Sequence, residues 1–348
     1  MVKITENRRR IAVLLGDPNM PDPVKRGGMF NPEDINVVNR LKKALNKLQG
    51  YEFVYFDDHK NLKGNLRDFN SSRGGYALNL CDEGFFNLPS KEKDIPLMLE
   101  ELGIPYTGAG AECMTVCYDK SLVKELAEKE GIPVPKSYHL GKDSLELKLE
   151  FPVIVKPSCA DGGFGITQKS IVNNNKELKS AISDLRKEFL YKGKIILEEF
   201  LQGNEISAGI IGNPPNCHEI LPLIQEDYSS LPENLPKICG YESKWLPESP
   251  YWGCSKSAPA NLPEQTRRII EEDSLRLFQN VGCRDYARFD WRLDSSGNPK
   301  LLEINPNPGW CWDGHLAKMA GIGGISYPQM LEKILHAAEK RIFNSVLQ

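Results

Sequence analysis

Short apolar runs alternate with segments of helical periodicity along the first third of the chain. Asn31 followed by Pro32 predicts a helix start, because an asparagine side chain caps free backbone N–H groups and proline suits the first helical position. Apolar residues then recur at helical spacing towards Gly50, and a second helix is expected at 95–102. Buried strands are predicted at 11–15, 53–56 and 77–81. This β-α-β-α order predicts an open, mostly parallel sheet with helices on its faces.

The pattern changes after residue 110. A charged helix at 120–130 is followed by Gly131, Pro133 and Pro135, which mark a boundary. Strands are expected at 153–155, 194–197, 206–211, 284–292 and 300–305, and helices at 176–190, 264–280 and 328–343. Many prolines make 213–263 a predicted loop-rich stretch. We therefore predict three parts, 1–110, 111–205 and 206–348, in an α/β chain whose C-terminal half is α+β.

Composition and charge narrow the function classes. The chain has 348 residues and a net charge of −3, from 44 basic and 47 acidic residues. It has no excess of cations to bind a phosphate backbone, so nucleic acid is not expected as a partner. Nine scattered cysteines without a CxxC pair, and five dispersed histidines, favour reduced thiols in the cytoplasm and no zinc site. The apolar run at 11–15 is too short for a signal core or a membrane span, so no membrane association is expected.

A glycine-rich loop follows a predicted strand that ends in Lys156. Gly162, Gly163 and Gly165 allow the backbone to approach a ligand closely and to direct N–H groups at phosphate oxygens. The loop is neither a Walker A motif, since no Gly-Lys-Ser/Thr follows, nor a dinucleotide fingerprint. A nucleotide site is favoured, and a glycine hairpin with a surface lysine is the alternative.

A second apolar strand ends in carboxylates. Glu198 and Glu199 close the strand, Phe200 and Leu201 follow, and Glu205 comes after a turn. Such a segment suits an adenine pocket, because the strand exit offers backbone groups to the base and a nearby carboxylate reaches a ribose diol. An exposed acidic turn is an equally good interpretation of this segment alone.

The most informative residues lie on two late strands. Arg288 and Asp290 share one face of a strand, as do Glu303 and Asn305, because residues i and i+2 project together. The turn at 294–298 makes an antiparallel hairpin of these strands. Two carboxylates and an amide oxygen then form an oxygen-rich cluster that suits magnesium with a nucleotide. A solvated sheet face with an Arg–Asp ion pair is the alternative.

These features, in this order, resemble the ATP-grasp superfamily and, more narrowly, the D-alanine–D-alanine ligases. The resemblance includes LGIPYTGAG at 102–110 and Tyr118-Asp119-Lys120, and it covers essentially the whole chain. It implies an ATP-grasp fold, with 111–205 and 206–348 as its two subdomains and 1–110 as a Rossmann-like domain before them. Homodimers are common in this family, so a homodimer is one expectation for this chain.

The resemblance implies roles in binding ATP. Lys120 and Lys156 contact the phosphates beside the loop of Gly162 and Gly163, and Lys244 reaches them from a mobile loop. Glu198 accepts a hydrogen bond from the adenine amino group, Glu199 and Leu201 offer backbone contacts, Phe200 packs by the base and Glu205 binds ribose.

The resemblance also implies the reaction. Asp290, Glu303 and Asn305 would ligate two Mg²⁺ ions, with Mn²⁺ as an alternative, while Arg288 and the backbone of Gly309 stabilise an oxyanion. ATP would convert a carboxylate to an acyl phosphate, which an amine attacks to form an amide, ADP and phosphate. The segments 225–256 and 162–165 are expected to close over the acyl phosphate, because it hydrolyses when wet.

The chain departs from the family pattern in the substrate pockets. Glu33 or Asp34 is a rough substitute for the glutamate that holds the first amino acid's ammonium in the family. Trp310 and Trp312 are expected to make room for a flatter or larger apolar group, and Asp313 to pair with an amine. We therefore expect a carboxylate–amine ligase for amino-acid-like small molecules other than D-alanine. The alternatives are a genuine D-alanine–D-alanine ligase of cell-wall synthesis, another ATP-grasp ligase or carboxylase, a non-catalytic ATP-binding protein, and a regulatory or scaffold protein that uses the patch of Trp310 and Trp312 as an interface.

Overall fold

A computed structural model describes residues 8–73, 75–140, 149–215, 217–254 and 256–344. Its strands are, in chain order, β1 (Arg9–Leu14), β2 (Tyr51–Phe56), β3 (Tyr76–Asn79), β4 (Ser137–His139), β5 (Val153–Pro157), β6 (Ile171–Val172), β7 (Ile195–Glu199), β8 (Glu205–Asn213), β9 (Cys217–Ile220), β10 (Ile224–Asp227), β11 (Lys256–Pro259), β12 (Tyr286–Leu293) and β13 (Pro299–Asn305). Its α-helices are α1 (Pro32–Leu45), α2 (Leu62–Arg73), α3 (Asp94–Glu101), α4 (Ala111–Tyr118), α5 (Lys120–Lys129), α6 (Asn175–Lys187), α7 (Tyr241–Trp245), α8 (Glu264–Asn280), α9 (His315–Ile322) and α10 (Tyr327–Asn344).

The N-terminal sheet is parallel, as the sequence pattern predicts. Its order is β2-β1-β3, with β1 paired to both neighbours. Helix α1 begins at the predicted cap: the Asn31 side chain accepts from the backbone N–H groups of Glu33 and Asp34, and the Asp34 carboxylate accepts from Asn31 N–H. The helix ends at Leu45, before the expected stop at Gly50. The carboxyl ends of β1 and β3 point towards the C-terminal half, where the candidate site lies.

A central unit is built around an antiparallel sheet of order β4-β7-β5-β6. Helix α6 packs against it and is capped at its start by the Asn174 side chain. The buried core of this unit is formed by Val153, Val155, Val172, Leu178, Ala181, Leu185, Ile195 and Leu197. This core draws all its residues from the central unit itself.

The C-terminal sheet is antiparallel and runs β11-β10-β8-β12-β13, with β9 also paired to β8. Its core includes Trp291 and Phe278 and takes in Cys113, Met114 and Val123 from α4 and α5. The stretch 213–263, predicted as loop-rich, contains three short strands and α7. Parallel and antiparallel sheets with helices therefore confirm the predicted α/β class, with α+β character in the C-terminal half.

The N-terminal sheet and the C-terminal sheet share one hydrophobic core, in which Ile11, Leu41 and Leu78 pack with Trp310 and Leu335. A buried aspartate also joins distant segments. Asp285 is fully buried, with φ 66°, and its carboxylate accepts from Gly108 N–H at 2.9 Å, Asn213 Nδ2 at 2.9 Å and Arg341 Nη2 at 2.6 Å. Among the described residues, no helix is apolar enough over a sufficient length to cross a membrane.

Candidate active site

Two adjoining cavities occupy the centre of the molecule. The first, of about 130 Å³, lies between the central sheet and the C-terminal sheet. The second, of about 270 Å³, lies between the carboxyl end of the N-terminal sheet, α4 and the C-terminal sheet. Lys244, Arg288 and Glu303 line both cavities and mark the junction between them.

The structure brings most of the predicted nucleotide residues to the wall of the first cavity. These are Lys120, Lys156, Gly163, Glu198, Glu199, Phe200, Leu201 and Glu205. Gly162 lies on the wall of the second cavity instead. Strands β5 and β7 are antiparallel neighbours, with Ile154 opposite Glu198, so Lys156, two residues beyond Ile154, lies on the same face of the sheet as Glu198. The arrangement supplies cations, a backbone edge and an aromatic side chain to one pocket.

Glu198 lies between two lysines. Its carboxylate oxygens are 2.5 Å from Lys156 Nζ and 2.5 Å from Lys124 Nζ, and all three side chains are buried. Burial alone would raise the pKa of Glu198, but the charges of Lys124 and Lys156 outweigh it and lower that pKa. Burial lowers the pKa of Lys124, against the attraction of Glu198. The predicted acceptor for the adenine amino group is therefore already an ion-pair partner, and Lys124 is a member of the site that the sequence did not reveal.

A second ion pair fixes the far end of the first cavity. Arg292 Nη1 is 2.5 Å from Glu205 Oε1, and the Arg292 guanidinium also stacks 4.7 Å from the centre of the Phe200 ring. Burial raises the pKa of Glu205, and the Arg292 charge opposes that rise only in part. Two residues expected at the base and the ribose are thus held together by one arginine.

The two segments expected to close over the site are in contact with each other. Gly162 and Gly163 adopt positive φ angles of 63° and 74°. Trp245 Nε1 donates to Gly162 O at 3.2 Å, and Tyr241 N–H donates to Ile166 O at 2.7 Å. The contact leaves no room for a side chain, because a Cβ atom on Gly163 would lie 3.0 Å from the backbone of Gly240. The glycine loop and the 240–245 segment therefore cover the junction of the cavities together.

The predicted carboxylate hairpin is confirmed. Strands β12 and β13 pair in antiparallel register, with Asp290 opposite Glu303 and Arg288 opposite Asn305. Asp290 accepts from Arg288 Nη2 at 2.9 Å, Ser207 Oγ at 2.7 Å and Asn305 Nδ2 at 3.0 Å. Asp290 lies on the cavity wall and Trp291 packs in the core, because successive residues of a strand point to opposite faces; the register of the hairpin also shifts between them.

Glu303 faces several cations. Its Oε2 atom is 3.2 Å from Lys120 Nζ. Burial would raise the pKa of Glu303, but the charges of Lys120, Arg288 and Lys244 lower it well below the ordinary value. These charges favour the anionic form of Glu303, which is the form in which a carboxylate binds a metal ion.

The donor set fits a hard divalent cation that is shared with a nucleotide. In the described ranges, no group of three or more His, Cys, Asp or Glu side chains is placed to hold a metal ion. Asp290, Glu303 and Asn305 instead supply two carboxylates and one amide oxygen. Such a set leaves the remaining coordination positions to phosphate oxygens and water, which is the usual arrangement for Mg²⁺.

The second cavity contains charged residues to which the sequence assigned no role. Asp82 and Glu83 follow β3, Glu92 precedes α3, Asp161 lies in the glycine loop and Lys25 comes from the loop before α1. Lys25 Nζ is 3.6 Å from Glu83 and 3.2 Å from Asp34. Burial raises the pKa of Glu83 to about 8, with a further contribution from Asp82, and burial also raises the pKa of Asp161 to about 6. The sequence could have pointed to Asp82 and Glu83 through their position at the carboxyl end of a predicted parallel strand, because open α/β sheets bind their ligands at that edge.

The predicted substrate residues Glu33, Trp310, Trp312 and Asp313 do not lie on the described walls of either cavity, whereas Gly309, the expected oxyanion donor, lines the second. Trp310 is buried in the shared core, where its Nε1 donates to Leu80 O at 2.6 Å and to Asp82 Oδ1 at 3.0 Å. Trp312 is 41% exposed and packs under the Arg40 guanidinium. Glu33 and Asp313 are exposed. The two tryptophans therefore do not enlarge a substrate pocket, and the expectation that they make room for an apolar substrate loses its basis.

Known proteins resemble this chain both in sequence and in fold. The family model described as D-ala D-ala ligase C-terminus matches residues 129–336. A protein of Sinorhizobium fredii, described as uncharacterized protein y4sG, is 32% identical over 94% of this chain and 92% of its own length. The D-alanine–D-alanine ligase of Haemophilus influenzae is 31% identical over 68% of this chain and 76% of its own length. The fold is similar to that of a D-alanine–D-alanine ligase from Bacillus anthracis, solved in complex with ATP, with a TM-score of 0.69, 23% identity, and coverage of 95% of this chain and 98% of that one.

Proposed function

Because the chain belongs to the D-alanine–D-alanine ligase family, whose members are ATP-dependent ligases that form C–N bonds, we propose that it joins the carboxylate of one small molecule to the amine of another. The reaction proceeds through an acyl phosphate and releases ADP and phosphate. The observation that carries this proposal is the junction of the two cavities. Lys244, Arg288 and Glu303 line both, so a phosphate in the first cavity and a carboxylate in the second would meet between them.

A protein catalyses phosphoryl transfer mainly by positioning the reactants and by neutralising the charge on the phosphates. Lys120 and Lys156 hold the triphosphate in the first cavity, while Lys244 holds its reacting end at the junction. The proposal assigns the base to the edge of β7 at Glu199 and Leu201, beside Phe200. Glu198 then acts chiefly by holding Lys156 in place, because its carboxylate is paired with that lysine.

The metal site is the hairpin of β12 and β13. Asp290, Glu303 and Asn305 would hold two Mg²⁺ ions, which supply neutralisation of charge on the phosphate oxygens when bound. Ser207 donates to Asp290 and thereby fixes its carboxylate. Lys120, which contacts Glu303, ties the metal site to the phosphate site.

The amide-forming half of the reaction needs donors for an oxyanion. Arg288 lines both cavities, and Gly309 lies on the second, so the guanidinium and the backbone N–H are the proposed donors. In other acyl-transfer sites one such donor is worth roughly 3–4 kcal/mol in the barrier. The glycine loop and the 240–245 segment exclude water from the acyl phosphate.

We infer that the substrates are amino acids or similar molecules other than D-alanine. Support comes from the second cavity, where the walls carry Asp82, Glu83, Glu92 and Asp161, far more charge than an alanine methyl group needs. A genuine D-alanine–D-alanine ligase remains the second candidate, because the chain is 31% identical to such an enzyme of Haemophilus influenzae.

The test is release of ADP and phosphate with Mg-ATP across a panel of D- and L-amino acids, beginning with D-alanine alone. Dipeptide from D-alanine, identified by mass spectrometry, would establish the second candidate. Release with another carboxylate–amine pair, absent in Glu303→Gln, is the expected result. Tight ATP binding without release for any pair would instead identify a non-catalytic ATP-binding protein and refute the proposal.

A further inference from the structure

The second cavity has an imbalance of charge on its walls. Of the groups that line this cavity but not the first, five are carboxylates and one, Lys25, is a cation. The carboxylates are Asp22, Asp82, Glu83, Glu92 and Asp161. Together with Lys244, Arg288 and Glu303, which line both cavities, the second cavity has six carboxyl groups and three cations, so its walls favour a cationic ligand.

Lys25 does not balance this charge, because several carboxylates already share it. Its Nζ atom is 3.8 Å from Asp22, 3.2 Å from Asp34 and 3.6 Å from Glu83. Two carboxylates are left with uncharged donors among the described residues. Asp82 accepts from Trp310 Nε1 at 3.0 Å, and Glu92 accepts from Asn307 Nδ2 at 2.9 Å. Burial raises the pKa of Asp82 against the attraction of Lys25, and burial together with the charge of Asp161 raises the pKa of Glu92 well above the ordinary value, so the charged form of Glu92 is costly without a cation.

The surroundings of Glu92 suit a particular shape of ligand. Pro89, Met114 and Tyr118 line the second cavity together with Glu92, and the same four residues also line a smaller depression beside it. Apolar side chains along a wall that ends in a carboxylate match a methylene stem with a cationic tip. Lysine and arginine side chains have this form, with apolar stems that pack on apolar surface and a charged end group.

We propose that Glu92, assisted by Asp82, binds the ammonium or guanidinium end of a basic amino-acid substrate, whose stem packs on Pro89, Met114 and Tyr118. The proposal rests on the proposed function, and it adds the substrate class. An uncharged isostere leaves Glu92 without a cation, so it binds more weakly. The α-amino and α-carboxyl groups remain free to face Arg288 and Gly309 at the junction.

The experiment compares cationic amino acids with their uncharged isosteres on the full chain. Binding of arginine against citrulline, and of lysine against norleucine, is measured by titration calorimetry with Mg-ADP present, for both enantiomers. ADP release with Mg-ATP is measured in parallel for the same compounds. We expect at least tenfold tighter binding of the cationic member in the enantiomer that binds. Glu92→Gln and Asp82→Asn should each reduce that ratio towards one, while Glu112→Gln, an exposed glutamate on neighbouring α4, should keep it.

The outcomes separate this inference from the proposed function. Cationic preference that depends on Glu92, without any ADP release, supports the substrate class and refutes the ligase activity. ADP release with uncharged amino acids, together with equal binding of arginine and citrulline, keeps the ligase activity and overturns the substrate class. Absence of binding by every compound also overturns it. The comparison of arginine with citrulline and of lysine with norleucine uses the unmodified protein, so it tests the substrate class even if one variant fails to fold.

Discussion

The buried group of Lys124, Glu198 and Lys156 offers a direct test of how the first cavity is built. Their exposed fractions are 4%, 1% and 5%, and both lysine nitrogens lie 2.5 Å from the carboxylate. Replacing Glu198 by glutamine keeps the shape of the side chain and removes its charge. Two lysines then remain buried next to each other without a counter-charge.

The expected cost is large. Breaking a buried ion pair by removing one partner costs about 3–5 kcal/mol, because an uncompensated charge stays out of water. Glu199, the next residue, provides a matched control. It pairs with Lys300 at 2.5 Å, but the two side chains are 26% and 18% exposed, so Glu199→Gln should cost about 1 kcal/mol or less.

The direction of the pKa shift of Glu198 predicts how the destabilisation by Glu198→Gln changes with pH. The pKa of Glu198 is lowered in the folded protein, so its stabilisation is present above the unfolded value of 4.5 and is lost as the pH falls through the folded value. The destabilisation by Glu198→Gln should therefore be full at pH 7 and should shrink in acid. Glu199→Gln should show no comparable loss.

The assay must report on the central unit. Residues 137–199 contain no tryptophan, so tryptophan fluorescence would follow other parts of the chain. Urea unfolding should be followed by hydrogen exchange of peptides from β5 and β7, with circular dichroism for the whole chain. If Glu198→Gln and Glu199→Gln lower the stability of these peptides equally, the ion-pair reasoning is refuted.

Three further perturbations probe other parts of the site. Glu303→Gln should lower ATP-dependent turnover by at least about 100-fold with unchanged circular dichroism, since losses of this size follow removal of a group that stabilises transition-state charge; full activity would contradict the metal role. Glu83→Gln should raise the melting temperature more at pH 8.5 than at pH 5. A carboxyl whose folded pKa is raised to about 8 makes the protein less stable as the pH rises from about 4.5 to about 8, and glutamine removes this loss. An equal effect at both pH values would argue against the raised pKa of Glu83. Trp312→Ala should change stability by no more than about 0.5 kcal/mol and leave KM unchanged, because the ring lies on the surface outside both cavities; a raised KM would return Trp312 to the substrate site.

The site residues that could be predicted from the sequence are those whose positions are set by local geometry. Alternation along a strand places Arg288 with Asp290 and Glu303 with Asn305, and one turn is enough to bring the two pairs together. The glycine loop after Lys156 needs only positive φ angles, which the structure shows at Gly162 and Gly163. In such cases neighbours in the chain are also neighbours in space.

The rest of the site depends on long-range packing that a pattern does not contain. The sequence pattern predicts a solvent-exposed position for Lys124 on its helix. In the structure, α5 packs so that Lys124 Nζ lies 2.5 Å from Glu198 Oε2 on β7. Trp310 follows Gly309, the proposed oxyanion donor, in the chain but turns into a core that the N-terminal and C-terminal sheets share. Glu92 and Asn307, which are hydrogen-bonded, are separated by 215 residues. Helix α2 is a different case, because Leu62, Leu66 and Phe69 have helical spacing that was available to find it.

The unequal sharing of hydrophobic cores has a mechanical consequence. The N-terminal and C-terminal sheets are joined by a common core and by Asp285, so they should behave as one rigid body, whereas the central unit has a core of its own. A hinge movement of the central unit would change the width of the first cavity and leave most walls of the second in place. We therefore expect nucleotide affinity to respond to crowding and temperature, and the rates of nucleotide binding and release to respond to viscosity, through this hinge. The choice between amino acids should already be set in the protein before any nucleotide arrives.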